Sequence, residues 1–163
     1  MEKSQISSFI KSFQKELVIA LSFSEECFAE DKLTGILYLQ DYLYQQFDGK
    51  VLFTHFRDLY CKQLIFDWNV CDWFCVRVLG PGIQLHGRSW AEALASWKDE
   101  SYLWQARSAL VPFIKVLRTD EYYPLIKQIS ATLIRREERF AKTTVGWILR
   151  DISKYNDKFV TDF

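Results

Sequence analysis

Three tryptophans recur along this chain at intervals of 36 and 43 residues, each with a charged residue one helical turn further on. The segments are Trp68-Asn-Val-Cys-Asp72, Trp104-Gln-Ala-Arg107 and Gly146-Trp147-Ile-Leu-Arg150. Residues three or four apart share one face of a helix. A spacing near forty is the length of one helical hairpin in a stacked array. Stacking sets equivalent positions side by side on a continuous surface. The three pairs are therefore expected to line a single groove with ring faces, one carboxylate and two guanidinium groups.

That set of groups suits a cation moving through a groove that also holds phosphates. Tryptophan rings attract cations through their π-faces. A carboxylate stabilises developing positive charge, and arginines grip phosphates with two hydrogen bonds. Each ring also has a plainer reading as a core residue of an amphipathic helix, since aromatic side chains mostly bury. The polar partner repeated beside every ring favours the groove.

Helical periodicity runs through the rest of the chain. Ile6, Phe9, Ile10, Phe13 and Leu17 form one stripe, and Leu33, Ile36, Leu37, Leu43, Tyr44 and Phe47 another. Ser24-Glu25-Glu26 reads as a helix cap, and Asp48-Gly49 as a stop. A helix is expected from Trp68 to Leu79, ended by Gly80-Pro81-Gly82. Ser89 is expected to cap a short helix bearing Trp90, Leu94 and Trp97. The next runs from about Tyr102 to Leu117, kinked at Pro112 unless a new turn begins there. Pro124 suits the first turn of a helix through Leu133. A last long helix covers about Glu138 to Lys154, and residues from Asn156 on begin one more. With 6 Gly and 3 Pro and no alternating β-branched run, the expectation is an all-α fold. Its hairpins would stack as an α-solenoid of the HEAT or armadillo type, a single domain over residues 1–163 with a concave binding face.

At 163 residues and 49% hydrophobic, the chain is long and apolar enough for a sizeable core. No run approaches 18 apolar residues, and the N-terminus lacks a secretory pattern, so an intracellular, cytoplasmic protein without membrane contact is expected. Cys27, Cys61, Cys71 and Cys75 read as buried reduced thiols. With only His55 and His86 besides, neither a metal site nor a Cys/His or Ser/His nucleophile is expected. Gly-rich phosphate loops and other cofactor motifs are absent, so no cofactor is expected. Residues 1–100 hold 10 Lys+Arg against 14 Asp+Glu, whereas residues 101–163 hold 11 against 7. The basic C-terminal part fits a polyanion partner, although interspersed Glu137 and Glu138 also fit a solvated helix end.

Asp67-Trp-Asn-Val-Cys-Asp72, Trp104-x-x-Arg107 and Thr144-Val-Gly-Trp-Ile-Leu-Arg-Asp-Ile-Ser-Lys154 together resemble the DNA alkylation repair family, the HEAT-like repeat alkylpurine DNA glycosylases of the AlkD type. The resemblance covers roughly residues 30–160, and the order and spacing of the motifs match as well as their residues. It implies a helical superhelix whose concave face takes duplex DNA, alkylated or structurally unusual. It also implies hydrolytic excision of cationic N3- or N7-alkylated purines. By resemblance Asp72 stabilises the sugar cation and positions water, Trp68 and Trp147 pack against the lesion's sugar and backbone, and Arg107 and Arg150 hold phosphates. Trp104 falls in the DNA-binding set beside them.

The first motif arrives early, at Trp68, and the sequence stops at Phe163, so the resemblance is to a shortened member. Trimming is expected to cost catalysis more than DNA binding, because both walls of a reacting site must be fixed. A monomer is expected. The alternative is an α-solenoid that binds another protein and has no repair activity; it requires no meeting of Trp68, Asp72 and Trp147.

Overall fold

Apolar residues spaced three and four apart make helix throughout the residues that the computed structural model describes, which are 15–25, 28–43 and 48–163. Among them no strand occurs, and the fold is all-α. The stripe from Ile6 to Leu17 lies mostly outside the described residues, and α1 covers residues 15–22. The chain divides into two compact units, Met1–Ile65 and Phe66–Phe163.

In the first unit, α2 spans Ala29–Tyr38, continues as a wider π-turn over Leu39–Leu43, and is followed by α3 over Gly49–Cys61. Gly35 lets α2 approach α1 closely, since a Cβ there would lie 2.7 Å from the Ala20 carbonyl oxygen. Two sequence expectations change here. Ser24 does not cap a helix; it is buried in a 3-10 turn, Phe23–Glu25, and α2 begins after Phe28 without a side-chain cap. Asp48 starts a helix instead of ending one, its carboxylate accepting from the Lys50 amide at 2.8 Å.

The second unit carries α4 over Trp68–Phe74, α5 over Gly80–His86, α6 over Arg88–Ala95 and α7 over Leu103–Ser108. A 3-10 segment, Val111–Lys115, leads to α8 over Tyr123–Leu133, α9 over Arg139–Ile152 and α10 over Asp157–Thr161. α4 packs on α7 and α7 on α9, whereas α6 packs on α8. Helices that alternate along the chain thus fall into two rows, and the three tryptophan motifs all belong to the row α4–α7–α9.

Gly80-Pro81-Gly82 does not stop the helix. α4 passes into a π-turn over Cys75–Leu79, in which the Gly80 amide bonds five residues back to Cys75, and α5 follows directly. A proline ring clashes with the carbonyl four residues earlier in a regular α-turn. The wider turn ahead of Pro81 takes up that clash. Gly80 serves close packing, because a Cβ there would meet the Pro112 carbonyl oxygen at 2.9 Å and Lys115 Cγ at 2.6 Å. The actual break is Gly87, at φ +67°, a left-handed conformation that glycine adopts without strain. Gly87, not Ser89, is therefore the residue ahead of α6, and the Ser89 hydroxyl donates back to His86.

Pro112 opens a new 3-10 turn after α7, and Pro124 lies in the first turn of α8. Asn156 caps α10 by accepting from the Phe159 amide at 3.0 Å. Phe74, Leu79, Ile83, Leu94, Leu110 and Phe113 are fully buried. Trp90 and Trp97 are core residues too, Trp90 donating its indole N–H to the Leu79 carbonyl at 3.0 Å.

Candidate functional site

Asp67 fixes where α4 begins. Its carboxylate accepts from the Val70 amide at 2.8 Å, which makes Trp68 the first helical residue and sets Asp72 one turn on along the same face. Thiols anchor α4 and the π-turn that follows it. Cys75 donates to the Ser108 hydroxyl at 3.1 Å, Cys71 lies 3.3 Å from the same oxygen, and Ser108 donates to the Trp104 carbonyl at 2.7 Å. Burial, with the neighbouring Cys71, pushes the Cys75 thiol well above its ordinary range, so it packs as a neutral group. Cys61, by contrast with the sequence expectation, is exposed, and Cys27 lies outside the described residues.

With α4 seated on α7, Arg107 meets Asp72. Nε donates to Oδ1 at 2.8 Å and Nη2 to Oδ2 at 2.9 Å, while Nη1 donates to Thr144 Oγ1 and to the Phe140 carbonyl of α9. The arginine side chain is only 5% exposed and that of Asp72 17%. Burial by itself lowers the Arg107 pKa, but the hydrogen bonds and charge of Asp72 more than offset it, and the guanidinium ends above its ordinary value. Arg107 was expected on a phosphate. Here Nε, Nη1 and Nη2 each donate within the fold, to Asp72 and to α9, so the guanidinium holds the carboxylate.

On α9, Trp147 donates its indole N–H to Asp151 Oδ2 at 2.9 Å. The other oxygen of Asp151 accepts from Lys154 at 2.6 Å and from Arg150 at 3.3 Å. Desolvation raises the Asp151 pKa, yet the donors from Lys154, Arg150 and Trp147 prevail and hold it below the usual aspartate value. Trp147 is thereby fixed in orientation while half-buried.

Trp68, Asp72 and Trp147 come together on one open cavity of about 370 Å³, lined also by Asn69, Trp73, Val76 and Arg77. Trp68 is 55% exposed there. Trp104 and Arg150 do not line it. Trp104 is stacked at a tilt on Phe140, ring centres 5.4 Å apart, and Arg150 projects into solvent with its side chain 67% exposed. Sequence reasoning missed Asn69, Trp73 and Arg77, although they too are spaced by four and form the row beside Trp68, Asp72 and Val76. Arg77 lies over the Trp73 ring at 5.0 Å. Asp151 was quoted in the motif but not recognised as the partner of Trp147, four residues before it. No group of three or more metal-ligating side chains occurs among the described residues.

A carboxylate gripped from behind and opening between indole rings, on an all-helical frame, has the chemistry to receive a cationic group. The chain belongs to the family described as DNA alkylation repair enzyme, whose model matches residues 2–163. Membership supports a DNA alkylation repair-like function. No curated protein and no solved structure matches the chain. No helix among the described residues is long and apolar enough to cross a membrane.

Proposed function

We propose that this protein binds duplex DNA and hydrolyses the N-glycosidic bond of purines alkylated at N3 or N7, with the sugar of the lesion against the Trp68–Asp72–Trp147 cavity. Such a base is already cationic and departs neutral without being protonated. As the bond from C1′ to the base nitrogen breaks, positive charge develops on the sugar. Asp72 faces that charge and orients the water whose oxygen then bonds to C1′. The water's proton is released to the carboxylate or to solvent. Trp68 and Trp147 hold the cationic nucleotide by their ring faces. Arg107 keeps Asp72 in place before the reaction, which is how fixed charges lower a barrier. Arg150 takes a backbone phosphate.

The observation that carries this reading is the placement of Asp72: both oxygens gripped by Arg107, yet the residue opening onto a cavity walled by Trp68 and Trp147. It favours excision over the loss of catalysis expected from the early first motif, since the proposed groups are assembled within the unit Phe66–Phe163. We read both units as parts of one HEAT-like repeat domain acting as a monomer.

The test is release of N7-methylguanine from a duplex, with binding measured separately. Wild type should release base, and Asp72→Asn should be slower by about 10²–10³-fold, the usual loss for one preorganised electrostatic group, with binding retained. Equal release by wild type and Asp72→Asn, or none by either, would overturn the catalytic role.

A further inference from the structure

A second cavity, about 220 Å³, opens beside the C-terminal end of α9. Lys115 and Arg118 line it from the segment 114–119 that follows the Pro112 turn, and Lys154, Asp151 and Tyr155 line it from α9 and the turn beyond. Three cations thus face one carboxylate. Both oxygens of that carboxylate are already engaged, one by the Trp147 indole and the other by Lys154 and Arg150.

Arg118 is held for use. Its guanidinium lies over the Tyr155 ring at 4.7 Å, and Nη2 donates to the Tyr155 hydroxyl at 3.3 Å. An arginine stacked in this way keeps its planar fork of donors fixed, and it makes no ion pair among the described residues. Lys115 likewise has no carboxylate partner among them. The turn that carries it is tied down through its main chain, the Lys115 carbonyl accepting from Gln84 Nε2 at 3.2 Å. A concave site in which Arg118 is held on Tyr155, and in which neither Arg118 nor Lys115 is ion-paired among the described residues, is suited to a phosphate more than to a flat carboxylate ligand, because the donors come from several sides.

Asp151 links the two cavities. It orients Trp147, which lines the first, and itself lines the second; α9 ends at Ile152, about 7–8 Å beyond Trp147, and Lys154 follows in the turn. That helical distance is the rise of about two nucleotides of a B-DNA strand. We infer that the Lys115–Arg118–Lys154 cavity is a phosphodiester subsite, seating a backbone phosphate of the strand whose lesion lies against Trp147. The inference rests on the proposal that duplex DNA is the ligand, and it adds the place where the strand is gripped beyond the lesion.

The experiment measures duplex affinity across a salt series for wild type, Lys115→Gln, Arg118→Gln and the double variant. Lys158→Gln, an exposed cation on α10 outside the cavity, controls for the loss of general charge, and thermal melting confirms folding. Each cavity substitution should flatten the slope of log affinity against log salt by about one and the pair by about two, with Lys158→Gln near wild type. An Arg118→Lys variant should recover most of the slope while losing part of the affinity.

Wild-type binding with unchanged slopes in the cavity variants would overturn this subsite and leave the proposed function standing. Absence of duplex binding by wild type would overturn both. A melting temperature raised by inorganic phosphate in wild type but not in Arg118→Gln, with duplex slopes unaltered, would make the cavity a site for free phosphate and overturn the strand assignment.

Discussion

Arg107 of α7 grips Asp72 of α4 through two parallel hydrogen bonds, Nε to Oδ1 at 2.8 Å and Nη2 to Oδ2 at 2.9 Å, across 35 residues of sequence. Its third nitrogen reaches Thr144 and the Phe140 carbonyl on α9. One side chain therefore ties together all three helices of the row that carries the tryptophan motifs. The fork that matches a phosphate so well matches a carboxylate equally well, and here a carboxylate has taken it.

This commitment separates two arginines that their motifs make look alike. Arg107→Ala leaves Asp72 without its partner in a mostly buried setting, which costs about 3–5 kcal/mol. Arg107→Lys keeps the charge but loses the fork, so it should fall between wild type and Ala in urea unfolding. Arg150→Ala, at an exposed position, should change stability by less than about 0.5 kcal/mol. It should instead flatten the salt dependence of duplex binding by about one, as expected for one phosphate contact. A full loss of stability in Arg150→Ala, or none in Arg107→Ala, would reverse these assignments.

Asp151 gives a pH dependence whose sign is fixed. Free in an unfolded chain, an aspartate takes up its proton near 3.8; in the folded protein Asp151 holds out to lower pH, because the donors of Lys154, Arg150 and Trp147 outweigh its desolvation. Its contribution to stability is therefore complete above pH 3.8 and is lost as pH falls through the folded value. Asp151→Asn should unfold at lower urea than wild type at pH 7, with the gap constant down to about pH 4 and closing below it. A gap that opens only in acid would show the opposite linkage.

Much of this arrangement is legible in the sequence, and the exceptions have physical reasons. The spacing of Trp68, Trp104 and Trp147 corresponds to α4, α7 and α9 in one row, because each intervening segment of about forty residues holds the connecting helices. Pro124 and Asn156 do what isolated helix rules say. Gly80-Pro81-Gly82 misleads, because a π-turn just before it lets the chain carry a proline through, and a π-turn has no sequence rule of its own. Arg107 misleads for a different reason. Periodicity fixes the face on which a residue lies but not the depth, and only the approach of α4 and α9 shows that its guanidinium is drawn inward to Asp72, Phe140 and Thr144. Asp151 escaped notice because it stands as a charged residue among Arg150 and Lys154, and nothing local says that it turns to the indole.

Two glycines should respond oppositely to alanine. Gly80 has no room: the added methyl would lie 2.9 Å from the Pro112 carbonyl oxygen and 2.6 Å from Lys115 Cγ, so α5 or the 3-10 segment must shift. Overpacking of this kind costs about 1–3 kcal/mol, and the melting temperature of Gly80→Ala should drop. Gly146, inside α9 and exposed, has nothing within 4 Å. Alanine there should raise stability by about 0.5–1 kcal/mol, since glycine is the costlier residue in a helix interior. Gly146 lies one turn before Arg150 on the same face. If that face meets the DNA backbone as proposed, the open space over Gly146 is where the phosphate approaches Arg150. Gly146→Ala should then be more stable than wild type but bind duplex more weakly, with its salt slope unchanged because no charge is lost. Higher stability with unaltered affinity would place the DNA away from this face of α9.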